Sequence, residues 1–223
     1  MRASMRQVQF NKVLLLSDQP PPTGVDPEIQ WERIAPLRSR EDYSRFMLRD
    51  LASHIKTSHA LCVQWDGYVL RGAAWNPRFL DYDYIGAVWP HFGDGHNVGN
   101  GGFSLRSRRL LEACRDLPFN ESEAEDVVIG RTYRPRLEEV GLRFAPAEVA
   151  RKFAYERTSP TGHEFGFHGA LNLARLLRPS MGAAVFGALE QNMLTRGERA
   201  EIMRWALARG RLRLAAEMLF RLL

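Results

Sequence analysis

The chain has 223 residues, 31 Lys and Arg against 26 Asp and Glu, a net charge of +5, and a composition that is 45% hydrophobic and 26% charged. That suits one sizeable soluble domain, or one domain with a small appendage, and excludes low-complexity chains. No apolar run reaches the roughly 18 residues that span a bilayer, and Met1 to Val8 lacks the apolar core of a secretion signal, so a cytoplasmic protein is expected.

A short helix over Arg2 to Val8 leads into Val13-Leu-Leu-Leu-Ser17, a fully apolar run of the kind found in buried parallel strands. Asp18 to Gly24 is loop, because three consecutive prolines cannot donate ladder hydrogen bonds. A weaker strand follows around Gln30 to Ile34. Ser39 and Asp42 are spaced as a capping box, opening a helix with Tyr43, Phe46, Met47, Leu51 and Ile55 on one stripe. His59 to Val63 returns to strand. Strand, helix and strand in this order predict a right-handed crossover and a mainly parallel α/β sheet.

Further along, Trp75 to Leu80 is a helical turn, Tyr84 to Val88 a strand, and Trp89 to His96 an aromatic and glycine-rich mobile loop. Gly102 to Leu105 is strand, and Ser107 caps a helix over Arg108 to Leu117. A second helix runs from about Glu123 to Val140 and ends at Gly141, with a break or kink at Pro135. Lys152 to Glu156 is a last strand. From Leu171 the chain reads as helix, interrupted at Arg178-Pro-Ser180, at Thr195-Arg-Gly197 and at Gly210. The division expected is an α/β body over 1–170 and a helical appendage over 171–223. Cys62 and Cys114 have no C-x-x-C partner and read as buried reduced thiols; two cysteines exclude a disulfide framework.

Several residues could carry chemistry. Asp66 ends an apolar strand, where a carboxylate can ligate a hard cation or can simply begin an Asp-Gly turn. Asp81 and Asp83 precede their apolar stretch and read as structural. Gly101 and Gly102, beside Asn100, permit close backbone approach to a ligand, or only a tight turn. Glu125 and Asp126 begin a helix; Glu125 has a capping partner in Ser122, whereas Asp126 has none and could accept a proton from a substrate hydroxyl. His168 is a late histidine in a glycine- and aromatic-rich segment. From Arg199 to Leu223 there are six arginines and two glutamates, so most of the basic excess lies in the tail. Trp205, Leu212, Leu219 and Phe220 interleave with arginines there, which suits either an anionic membrane surface or a helical partner. Nucleic acid is not expected as a partner, because the basic residues do not converge with the aromatic site.

Taken together, Gln64-Trp-Asp-Gly-Tyr68, Asp81-Tyr-Asp-Tyr-Ile-Gly-Ala87, Asn100-Gly-Gly-Phe-Ser-Leu-Arg-Ser107, Glu125-Asp126 and Phe165-Gly-Phe-His-Gly169 resemble a bacterial and fungal domain-of-unknown-function family similar to GT-A nucleotide-sugar glycosyltransferases. The resemblance covers roughly residues 5 to 170. It implies a Rossmann-like sheet that binds a sugar nucleotide, with Mn²⁺ or Mg²⁺ bridging the diphosphate, and an inverting transfer to a glycan, lipid or protein acceptor. By position it makes Asp66 the last acid of the D-x-D motif, with Gln64 in place of the first. Gly101 and Gly102, with Asn100, become the strand beside the donor sugar. Asp126 or Glu125 becomes the general base, and His168 completes the metal shell. Such folds begin with a strand that is missing here, so either the start is assigned too late or half the donor pocket is lost, and a truncated relative with a binding or scaffolding role and no catalysis is the alternative. A cytoplasmic enzyme, or one peripheral to the inner face of the membrane through 199–223, is the corresponding location.

Overall fold

A computed structural model of the protein describes residues 1–118, 120, 122–190 and 193–222. Helix α1 (Arg2–Met5) precedes strands β1 (Val13–Ser17) and β2 (Ile29–Arg33), which pair in parallel with Val13 opposite Ile29. Ser39 then caps α2 (Arg40–Arg45) by accepting from Asp42 N at 3.1 Å. The capping box is not closed, however: the Asp42 carboxylate reaches back to Arg38 N instead. A π-helical segment (Phe46–Asp50) continues α2 into α3 (Leu51–His54). The apolar stripe falls where the spacing puts it, since Phe46, Met47, Leu51 and Ile55 pack on Leu14 and Leu16 of β1 and on Ala60 and Cys62 of β3 (His59–Val63).

Beyond β3 the chain makes β4 (Tyr68–Val69) and two 3₁₀ turns (Gly72–Ala74 and Pro77–Asp81). The expected strand at 84–88 is split at Gly86 into β5 (Tyr84–Ile85) and β6 (Ala87–Val88). In the loop after β6, Arg131 pairs with Asp94 at 2.7 Å and lies over the Phe92 ring. Strand β7 (Val98–Gly99) turns into β8 (Phe103–Ser107), all five residues of which are buried. Ser107 caps α4 (Arg108–Cys114) by accepting from Leu110 N, and donates to Asp83 Oδ1 at 2.5 Å. Asp83 also accepts from Arg143 N, so it ties β5, α4 and the 143 region together, which is the structural role its position suggested.

The second helix is broken in two. Helix α5 (Glu125–Val127) passes through a π-helical segment (Val128–Thr132), and α6 (Arg134–Glu139) starts afresh with Pro135 in its first turn, where a missing N–H costs nothing. Gly141, at φ +81°, ends it. Helix α7 (Ala147–Phe153) takes the first two residues of the expected last strand, leaving β9 (Ala154–Tyr155); β10 (Gly166–Phe167) lies parallel to β9 and antiparallel to β4. Helices α8 (Ala170–Leu176), α9 (Pro179–Gly187), α10 (Arg196–Ala208) and α11 (Leu212–Phe220) complete the chain. Thr195 and Glu198 form a full capping box on α10.

The result is a mixed α/β fold of several small sheets. The mainly parallel sheet expected from the strand–helix–strand order is corrected: β3–β8, β5–β8, β4–β10 and β6–β7 are antiparallel, and among the described residues the parallel ladders are β1–β2 and β9–β10. The physical reason lies in residues 64–102, where turns and two-residue strands replace a helical crossover, and antiparallel pairing needs no crossover. The C-terminal helices share a core with the body, in which Phe186, Ile202, Leu214 and Met218 pack with Tyr155, Phe167, Trp65 and Tyr68.

Candidate active site

Strand β3 delivers Gln64 and the turn after it delivers Asp66. That turn is anchored by Trp65, whose ring meets Phe186 of α9 edge-on at 6.2 Å. Asp66 is 6% exposed. The backbone leaving β10 delivers His168, whose Nε2 stands 3.0 Å from Asp66 Oδ1 and 3.2 Å from Gln64 Oε1. The other ring nitrogen stands 3.3 Å from Glu156 Oε1, just past β9. Burial opposes a charge on the imidazole, but the two flanking carboxylates outweigh it, and the His168 pKa is pushed up to about 10. Burial likewise works against ionised Glu156, yet contact with His168 holds its pKa below the usual value.

The turn between β7 and β8 joins this cluster to a second one. Asn100 adopts a left-handed φ of +71°, and its Oδ1 accepts from Gly102 N at 3.1 Å and from Phe103 N at 3.3 Å. A Cβ on Gly102 would lie 2.0 Å from His168 Nε2, and one on Gly101 would lie 1.9 Å from Glu125 Oε1. Both positions therefore need glycine for close approach of neighbouring side chains. Gly102 O also accepts from Gln64 N at 2.8 Å, which fixes the glycine turn against the end of β3.

On the far side of that turn the acid pair divides into two roles. Glu125 does not cap its helix with Ser122. It is buried and holds Arg106 at 2.7 Å, and that guanidinium, wholly buried within β8, also donates to Ser104 Oγ at 3.0 Å. Asp126 accepts from Gly101 N at 3.1 Å and from Val127 N at 2.9 Å. Burial first, and the neighbouring Glu125 charge second, push the Asp126 carboxyl up to about 6, against the pull of those two amides. A carboxyl balanced near neutral pH is suited to taking a proton.

Gln64, Asp66, Asn100, Gly101, Gly102, Glu125, Asp126 and His168 are thus joined by one continuous set of contacts. Arg106 and Glu156 belong to it as well and were not picked out from sequence. Arg106 was signalled by a lone cation inside an otherwise uncharged strand, and Glu156 by an acid directly after the apolar Phe153-Ala-Tyr155. Two cavities reach the cluster. An apolar one of about 390 Å³ ends at Gln64, and a polar one of about 450 Å³ is lined by Glu156, Asn172, Arg175, Glu198 and Glu201.

Residues 28–168 match the family model described as protein of unknown function (DUF5672). The chain belongs to this family. The DUF5672 segment contains every residue of the cluster and ends on His168. No curated protein matches the chain.

Among the described residues no three His, Cys, Asp or Glu side chains are placed to share one ion. The site nevertheless fits a divalent cation that takes two protein ligands. Asp66 Oδ1 is a buried acceptor without a hydrogen bond of good geometry, and His168 Nε2 is adjacent to it. Hard cations commonly keep water and substrate oxygens in their remaining positions. His168 would release its proton on binding, because an imidazolium cannot ligate.

Proposed function

We propose that this DUF5672 protein is a metal-dependent glycosyltransferase that moves a sugar from a nucleotide-sugar donor to an acceptor hydroxyl, with inversion. The observation that carries the reading is the glycine turn, which holds Asp126 on one side and the Asp66–His168 pair on the other. Asp66 and His168 would hold Mn²⁺ or Mg²⁺, which supplies charge neutralisation on the leaving diphosphate. Asp126 takes the acceptor proton, and its pKa of about 6 leaves it largely ionised at neutral pH. Glu125 serves as the buried counter-charge of Arg106 and so fixes the height of Asp126 against Gly101. Gly101 and Gly102 keep the turn free of side chains where the donor sugar would approach. This differs from the sequence-based assignment only in separating Glu125, as a positioning residue, from Asp126 as the base.

The finer GT-A architecture belongs to the same proposal. It draws support from β1 and β2 running in parallel and from an acidic turn directly after β3.

A second reading rests on the ion pairs already engaging His168, which would make the cluster a structural lock in a binding or scaffolding protein. Calorimetric titration of the full chain with uridine and guanosine diphosphates and Mn²⁺ separates the two. The enzyme reading expects metal-dependent nucleotide binding that Asp66→Ala weakens by about tenfold or more, as for other losses of a metal ligand or its support. Absence of binding, or binding indifferent to Mn²⁺ and to Asp66→Ala, favours the lock.

A further inference from the structure

Parallel pairing of β9 with β10 stops at Tyr155 and Phe167, one residue short of Glu156 and His168. His168 N still donates to Tyr155 O at 3.0 Å. Beyond that bond a side chain takes over from the ladder. Asn172, 5% exposed in α8, donates from Nδ2 to Glu156 O and to His168 O, both at 2.8 Å. Two carbonyl oxygens converging on one side chain require a group with two hydrogens, which an amide has and a carboxylate lacks. Gly169, at φ +104°, turns the chain so that α8 begins directly after His168 and Asn172 reaches back to it. Asn172 lies outside the DUF5672 segment, so α8 supplies a part of this arrangement that the segment alone does not hold.

With the backbones at 156 and 168 tied side by side, Glu156 Oε1 stands 3.3 Å from His168 Nδ1, while Asp66 and Gln64 stand at Nε2. The imidazole is thus met by oxygen acceptors at both ring nitrogens. A flip about its Cβ–Cγ bond would set Cδ2 and Cε1 in place of Nδ1 and Nε2 and lose both contacts. Arg157, 3.6 Å from Glu156 Oε2, is 65% exposed and too well solvated to compete for the carboxylate.

We propose, on the reading of Asp66 and His168 as the cation site, that Glu156 and Asn172 are positioning residues for His168. Asn172 fixes the two backbones, Glu156 accepts from Nδ1–H, and Nε2 is left directed at Asp66 as the ligating nitrogen. A carboxylate behind a ligating imidazole sets its tautomer and orientation, and loss of such a partner costs about 10–100-fold in metal affinity.

The test uses the full chain. EPR reads Mn²⁺ binding with uridine or guanosine diphosphate present, and pulsed EPR with isotope-labelled histidine reads the nitrogen coupling of an imidazole bound to the ion. Glu156→Asp keeps the charge but draws the carboxylate back by one methylene. Glu156→Gln keeps the reach but not the charge, and Asn172→Asp keeps the shape but not the two donors. Urea titration shows which variants remain folded. Glu156→Asp and Asn172→Asp are expected to weaken Mn²⁺ binding by about tenfold or more and to reduce the imidazole coupling, and Glu156→Gln to lose less than either. Wild-type affinity and coupling in Glu156→Asp or in Asn172→Asp would overturn the proposal. So would a larger loss in Glu156→Gln than in Glu156→Asp, which would make the charge of Glu156 decisive and not its placement. Absence of imidazole coupling in the wild type is a separate result, which would overturn the metal reading itself and this proposal with it.

Discussion

At the scale of single residues, the decisive feature is that two adjacent carboxylates have opposite jobs. Glu125 is matched to a guanidinium with no access to water. Removing one partner of such a pair strands the other charge, so Glu125→Ala is expected to lower unfolding free energy by about 3–5 kcal/mol in urea titrations. Asp126 behaves in the reverse sense. Its folded pKa of about 6 lies above the ordinary carboxylate value, so its ionised form opposes folding. That penalty is absent well below the unfolded pKa of about 4 and is complete above about pH 6. Asp126→Asn is accordingly expected to leave stability at pH 7.5 unchanged or raised. A loss comparable with that of Glu125→Ala would place Asp126 in the structural class too. Gly102→Ala tests the contact between the turn and His168. The added Cβ meets the imidazole, and overpacking of this kind costs about 1–3 kcal/mol. NMR titration should also show the His168 pKa moving down from about 10 as the ring is pushed from its carboxylates.

At the scale of elements, local rules made much of the chain legible and long-range pairing made the rest illegible. The caps at Ser39 and Ser107, the apolar stripe of α2–α3 and the breaks at Gly141 and Gly210 follow from side chains acting on their own helix, whereas the capping box at Thr195 falls in a stretch the sequence marks only as an interruption. Ser107 does more than its spacing reveals, because its hydroxyl is shared between Leu110 N and Asp83. Ser107→Ala is expected to cost about 2 kcal/mol in thermal or chemical denaturation, near the upper end for a lost cap, since Asp83 loses a partner as well. A cost below about 0.5 kcal/mol, at the low end for a cap, would show that Asp83 is held by Arg143 alone. Strand direction could not be read from the apolar runs, because the antiparallel β3 carries the same kind of apolar run as the parallel β1. The two-residue strands β4 and β10 carry too little pattern to be seen at all, and β9 is seen only as the middle of a longer expected strand. The ambiguity of Glu125 has the same origin: Ser122 is near in sequence, but Arg106, 19 positions away, is the partner that folding supplies.

At the scale of the whole molecule, the chain brings together side chains from five separated segments. The C-terminal helices take part in this, since Phe186 holds Trp65 and so the turn bearing Asp66, while Glu198 and Glu201 line the polar cavity beside Glu156. The tail's arginines are partly committed to the same packing. Arg211 donates to Ala174 O and Leu177 O, and Arg221 to Gly187 O and Leu189 O. The exposed Leu212, Leu219 and Phe220 remain as apolar surface. None of the helices is long and apolar enough to cross a membrane among the described residues.

The reading of this assembly as a glycosyltransferase stands on Asp126 as the base. The most direct measurement is release of nucleoside diphosphate from a panel of nucleotide sugars with Mn²⁺, followed from pH 5 to pH 8 for the wild type and for Asp126→Asn. The expected result is release by the wild type that rises with pH through about 6, where Asp126 loses its proton, and loss of most of that activity in a still folded Asp126→Asn protein. Release that is equal in the two proteins, or no release from any donor on the panel, would contradict it.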